Sequence, residues 1–323
     1  MTLQRRAFLA AACLSGCATE PANEPVARPG QPQRWRTLQG GFLAPALPGG
    51  LQMPPRPGVG LPPMAGNGMF VRWNSPAGIA LRGNDLLLAD AGSGRLWRAD
   101  AMGNQISAIQ GAAVNRQTAL ALGPDLSAWV LDPATRQLLR FGRDGLLLQS
   151  QRLAAAAGAP VSLALADGGL TLLLADGVGA SWTELRGVGG IARSIAPQRE
   201  GGLRISGVDA LAAGIESVFV LDKLLAVVHQ VSREGQVRHT LGLGDLKQPV
   251  ALAIDRLERC YVLDAFDGSI VRLRGADTVQ RWTAAELGVQ QVGGLAVDGL
   301  TLAVSDPISG MVVLNTFAHE AGP

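Results

Sequence analysis

The sequence has little of what most enzyme chemistry needs. Its 323 residues include three cysteines, three histidines and two lysines. Cys13 and Cys17 lie near the amino terminus, which leaves Cys260 alone at an apolar position. No disulfide framework can form, and the lone thiol reads as a small core residue rather than a nucleophile. His229 and His239 fall in one short stretch and His319 in the tail, at no spacing that makes a zinc motif. The formal charge is +2, including Arg5 and Arg6. No basic stripe is concentrated enough to neutralise phosphates, which excludes nucleic acid as a partner. There is no G-x-S-x-G elbow, no glycine loop to cradle a phosphate before a helix and no Ser/His/Asp grouping. No cofactor is implied. One uncharged run, residues 37–55, has membrane-spanning length, but Pro45, Pro48, Pro54 and Pro55 break it.

What is present is a repeat. An apolar run closing in aspartate recurs six times: LLLAD (86–90), AWVLD (128–132), LLLAD (172–176), VFVLD (218–222), CYVLD (260–264) and LAVSD (302–306). The closing residues Asp90, Asp132, Asp176, Asp222, Asp264 and Asp306 are 42, 44, 46, 42 and 42 positions apart by subtraction. A period of about 40–45 with several short strands per unit is that of a propeller blade. The fold class is therefore all-β, a six-bladed β-propeller spanning 70–318. Inner strands read GIAL, LALG, LALA, ALAA, ALAI and LAVD, where small alanines suit the crowding near a central channel. The last repeat stops at MVVLNTF (311–317) and lacks a fourth strand, with only a tail at 319–323 behind it. WRTLQ (35–39) is the expected closing strand and FVRW (70–73) the alternative, because supplying a strand from the opposite terminus removes an exposed edge.

Residues 1–16 read as a signal peptide, with Arg5 and Arg6 ahead of a short apolar run. Leu14-Ser15-Gly16-Cys17 resembles the lipobox of bacterial lipoproteins, which implies acylation of Cys17 and attachment to a membrane through several acyl chains. Arg5-Arg6-Ala7-Phe8-Leu9 is also similar to a twin-arginine export signal, apart from Gln4. Ala18 after the cysteine implies, by the same resemblance, the periplasmic face of an outer membrane. Residues 17–34 then form a proline-rich tether whose 17 residues after Cys17 could reach roughly 50 Å at ~3.1 Å each. Residues 35–69 hold the closing strand and a second proline-rich run, read as a surface loop.

QPVALAIDRLERCYVLDAFDGSIVRL (248–273) and NSPAGIALRGNDLLLADAGSGRLWRA (74–99) resemble the NHL repeat. The resemblance implies a six-bladed propeller and leaves function open, because such folds host binding, scaffolding and catalysis alike. Blade four departs from it, with no glycine in LDKLLAVVHQV after Asp222. The six aspartates read as turn caps, since a carboxylate there accepts backbone N–H bonds. A lactonase-type hydrolase on this fold would gather carboxylates and asparagines around the channel. Blades three to five carry no asparagine, which leaves Asp167, Asp209, Asp255 and Asp298 as weak candidate metal ligands. The leading expectation is a protein-binding or scaffold module, with Trp182, Leu224 and Leu225 as a partner patch. A metal-dependent hydrolase, or a glycan or small-ligand binder at the channel mouth, is the alternative.

Overall fold

The computed structural model describes residues 31–44, 69–102, 105–155, 158–186, 190–202, 204–274 and 277–317. Cys17, the signal peptide, nearly all of the tether, the second proline-rich run and His319 lie outside the described residues.

The chain is an all-β, six-bladed propeller. Three strands precede the first repeat: β1 (Pro32–Leu38), β2 (Gly40–Leu43) and β3 (Phe70–Arg72). Blade one is β4 (Pro76–Arg82), β5 (Asp85–Asp90), β6 (Arg95–Asp100) and β7 (Gln105–Ile109). Blade two is β8 (Ala119–Leu122), β9 (Ala128–Asp132), β10 (Gln137–Phe141) and β11 (Leu147–Arg152). Blade three is β12 (Pro160–Ala166), β13 (Thr171–Asp176), β14 (Ser181–Arg186) and β15 (Gly190–Ile195). Blade four follows with β16 (Ala210–Ala213), β17 (Ser217–Asp222), β18 (Val227–Ser232) and β19 (Val237–Leu241). Blade five is β20 (Pro249–Ile254), β21 (Cys260–Asp264), β22 (Ser269–Arg274) and β23 (Asp277–Trp282). Blade six has β24 (Gly294–Asp298), β25 (Thr301–Asp306) and β26 (Met311–Phe317), and β1 pairs antiparallel with β26 as its fourth strand.

Two boundaries differ from the sequence reading. The closing strand begins at Pro32, so Pro32, Gln33 and Arg34 belong to the sheet and not to the tether. Proline can open an edge strand there because its missing N–H withdraws no ladder bond. Residues 70–72 neither close the ring nor start blade one. As β3 they pair with β2, and β2 pairs parallel with β7, so blade one carries two extra strands on its outer edge.

Each second strand is sandwiched by its own sheet and by both neighbouring blades, and its side chains are buried along nearly its whole length. Apolar burial at this scale is the main driving force of the fold. Six core clusters form, one between each pair of adjacent blades. Inner strands touch in ring order, and Ser305 Oγ donates to the Ala77 carbonyl where blade six meets blade one.

Candidate functional site

Each blade runs its inner strand from one face of the disc, here called the front, to the back. Second strands return to the front, so the six aspartates lie there. Each binds the turn that follows it, and most also bind the loop that enters the same blade. Asp264 accepts from the Phe266 amide and from the Lys247 and Gln248 amides 17 and 16 residues earlier. Asp90 holds the amides of Asn74 and Ser75, Asp222 those of Ser206, Gly207 and Leu225, and Asp306 those of Gln290, Ile308 and Ser309. Asp176 holds Ala159 and Val178, and Asp132 reaches its loop through the Asn115 side chain. Burial alone would push Asp176, Asp222 and Asp306 up. Hydrogen bonds from backbone amides, with the His229 ring beside Asp222 and the Ser309 hydroxyl on Asp306, outweigh it and hold all three below the usual carboxylate range.

The fourth residue after each aspartate sits in the left-handed region: Gly94, Arg136, Ala180, Ala226, Gly268 and Gly310, with φ between 45° and 69°. The glycine-free turn of blade four thus keeps the common geometry, with Ala226 bearing the strain.

The second residue after each aspartate stands at the tip of the turn. Blades three to six place Val178, Leu224, Phe266 and Ile308 there, 84%, 79%, 61% and 61% exposed. Blades one and two have Gly92 and Ala134. Val161 packs against Gly177, Leu243 and Val250 lie on the same side, and the Lys247 ammonium sits 4.2 Å from the centre of the Phe266 ring. An apolar crescent therefore covers four consecutive blades of the front face. Leu224 and Leu225 of the expected patch are in it. Trp182 is not: it is fully buried between blades three and four, because its position on β14 points into the packing between them. Val178, Phe266 and Ile308 went unread in the sequence, although counting two residues past each aspartate would have found them.

The four candidate ligands do not converge. Asp167, Asp255 and Asp298 lie at the back ends of inner strands and Asp209 at the front, accepting from the Lys223 amide. Asp255 is shut in by Arg259 and Tyr261, while Asp167 pairs with Arg233 of blade four at 3.3 Å. Asp298 accepts from the Gly83 amide of blade one and meets Arg256 of blade five at 3.4 Å. Among the described residues no three of His, Cys, Asp and Glu could hold a metal ion together. The back face also exposes Leu170, Ile215, Leu257 and, less fully, Leu300, and the Ile215 amide donates to Glu258 of blade five between two of them.

His229 is fully buried on β18, its Nδ1 3.0 Å from Thr240 Oγ1 and its Nε2 3.7 Å from Asp222. Cys260 is buried as well, and burial pushes its thiol well up, away from nucleophilic use.

One further departure from symmetry lies between blades. In five blades the fourth strand plugs the outer cleft with a buried apolar residue: Ile109, Ile195, Leu241, Trp282 and Leu38. The equivalent residue in blade two is Gln151, paired with Leu138 and half-exposed. A pocket of about 180 Å³ opens there, lined by Trp129, Leu138, Arg140, Gln149, Leu172 and Leu185 among others.

No protein-family model matches the sequence, and no curated protein matches it either. Solved structures share the fold. Virginiamycin B lyase from Staphylococcus aureus aligns with a TM-score of 0.56 at 12% identity, over 76% of this chain and 96% of that one. Hydrazine synthase from Kuenenia stuttgartiensis aligns with a TM-score of 0.55 at 11% identity, over 77% and 97%. A catalytically inactive histidine-to-alanine variant of the S. aureus lyase, solved with quinupristin, aligns with a TM-score of 0.54 at 10% identity, over 89% and 99%. At such identities the likeness extends to the propeller alone.

Proposed function

We propose that the chain is a lipid-anchored extracytoplasmic propeller, held by Cys17 at the periplasmic face of an outer membrane, that binds a protein partner through its front face. The carrying observation is the crescent Val178, Leu224, Phe266 and Ile308, four large apolar side chains exposed at one equivalent position in consecutive blades. Large apolar side chains exposed at a repeated position on one face fit an interaction surface. The NHL-like residue pattern and the lipobox support the same reading from the sequence. Catalysis has weaker support. Inner strands are built mainly of alanine, valine and leucine, and the carboxylates nearest the channel ends are engaged by arginines and amides. The lyase that shares the fold loses its activity when one histidine becomes alanine. Here His229 and His239 lie on the third and fourth strands of blade four, away from the channel.

Two variants test this, one single and one double. Cys17→Ala is expected to move the protein from the membrane fraction to the soluble one, and a protein that stays in the membrane contradicts lipid anchoring. Leu224→Asp with Phe266→Asp is expected to abolish co-purification of a partner with the lipidated protein while leaving its melting temperature within about 2 °C, since exposed substitutions change stability little. A partner retained by the double variant contradicts the front-face reading.

A further inference from the structure

The pocket between blades two and three runs from the fourth strand of blade two to the back-face turn of blade three, apart from the front-face crescent. Its walls come from registered rungs of blade two, Trp129, Arg140 and Gln149 on one and Leu138 and Gln151 on the next, facing Leu172, Leu185 and the Gly169-Leu170 turn of blade three. Metabolite sites usually offer about 300–1,000 Å³. At about 180 Å³ this one suits a single side chain. The cleft is electrically balanced, because Arg140 lies 5.2 Å over the Trp129 ring and 2.8 Å from Asp125. Gln149 donates to Gln151 at 3.3 Å, and both amides can offer a donor and an acceptor to uncharged groups at the rim.

The strand beside the pocket has an unusual edge. In blade one, Ile106 on the fourth strand is covered by β2, where Leu43 pairs with it and the Ala44 amide donates to its carbonyl at 2.8 Å. Its counterpart at the same register in blade two is Leu147, 52% exposed at the edge of its sheet, with Leu146 and Leu148 exposed beside it. Blades three and four carry charge inside this strand, Arg193 in one and Arg238 with His239 in the other, which discourages edge pairing, whereas the one charge of β11 is Arg152 at its far end. Blade one thus shows how this fold accepts a parallel strand, and among the described residues no strand covers the same edge of blade two.

We propose that β11 takes an extended segment of a protein partner by strand addition, and that the cleft lodges one neutral apolar side chain of it between blades two and three. Main-chain bonds along the edge supply affinity and the pocket supplies selectivity, as in other cases of strand addition. This site does not depend on the front-face crescent.

The test uses the full chain in detergent micelles and a phage-displayed library of random seven-residue peptides. Selection is run in parallel on the natural protein and on Gln151→Trp, which copies the plug of blade five, with Gln151→Ile as a smaller plug should the indole perturb folding. The proposal expects peptides enriched on the natural protein only, carrying a shared Leu, Met or Phe, and binding at least tenfold more weakly to either plugged variant and to Leu147→Lys. Enrichment of the same peptides on plugged and natural protein, a shared charged residue, or no enrichment at all would overturn it.

Discussion

Blades two and five are built on the same rungs and finish them differently. Leu131, Leu138 and Gln151 in one stand where Leu263, Ile270 and Trp282 stand in the other, and beside them Arg140 matches Arg272. In blade five Trp282 stacks on Phe317 at 4.9 Å, and Arg272 is buried with its guanidinium 5.7 Å and 5.8 Å from the two rings. In blade two a glutamine takes the plug position, the arginine side chain is 31% exposed and a cleft remains. One repeat grammar therefore yields a sealed core in one place and an opening in another, with the plug position of the fourth strand as one clear difference between them.

Removing the plug of blade five should do the most damage. Trp282→Ala is expected to cost about 3–5 kcal/mol, as large-to-small changes at buried aromatics do. Gln151→Ala in blade two should stay within about 0.5 kcal/mol. Urea unfolding of both variants checks the contrast, and equal losses would mean that the two clefts are packed alike.

The carboxylate caps come next. Asp222→Ala removes the acceptor of three part-buried backbone amides; a fully buried unsatisfied amide costs about 1–3 kcal/mol, and water entering the turn recovers part of that here. Asp176, Asp222 and Asp306 have folded-state pKa values below their unfolded ones. Their contribution is thus complete above the unfolded value near 3.8 and is lost as pH falls through the lower folded values. Melting temperatures taken from pH 6 downward should hold until about pH 4 and then drop. Asp222→Asn should flatten that drop in part.

Closing the open cleft should have a smaller, opposite effect. Gln151→Leu fills space between Leu138 and Leu172 and is expected to raise stability by about 1 kcal/mol in urea unfolding, within the usual range for cavity filling. A loss instead would mean that the glutamine amides already hold the cleft together.

Smallest is the turn geometry. Ala226→Gly and Ala180→Gly place glycine where Gly94, Gly268 and Gly310 already sit at positive φ. Each should gain about 0.5–1 kcal/mol, or roughly 1–2 °C in a scanning melt, where relief of left-handed strain exceeds glycine's extra unfolded entropy. Asp264 and Gly268 of blade five need no such help.

The repeat made the ring legible in advance, because an aspartate that must cap a turn leaves a fixed mark every 42 to 46 residues. WRTLQ (35–39) could be matched to the outer strands by its alternation, and it overlaps β1. FVRW (70–73) could be read as a strand, but its partner β2 could not be foreseen, since four residues of mixed polarity carry no periodic signal. Trp182 was misjudged for a related reason: a tryptophan after an irregular turn looks exposed until the register shows it facing blade four. The open cleft was invisible in any single blade. Gln151 is an ordinary polar residue on an outer strand, and it becomes informative only when the six fourth strands are laid in register.

The most direct test of the binding function is photo-crosslinking in the native envelope, with a benzophenone amino acid placed at position 224 or 266 and, as control, at 134. All three sites occupy the same place in their turns, so only the partner should distinguish them. A discrete protein adduct from 224 and 266 that is missing from 134 is the predicted result. No adduct at any site, or the same adduct at all three, would contradict a partner seated on the apolar crescent of blades three to six.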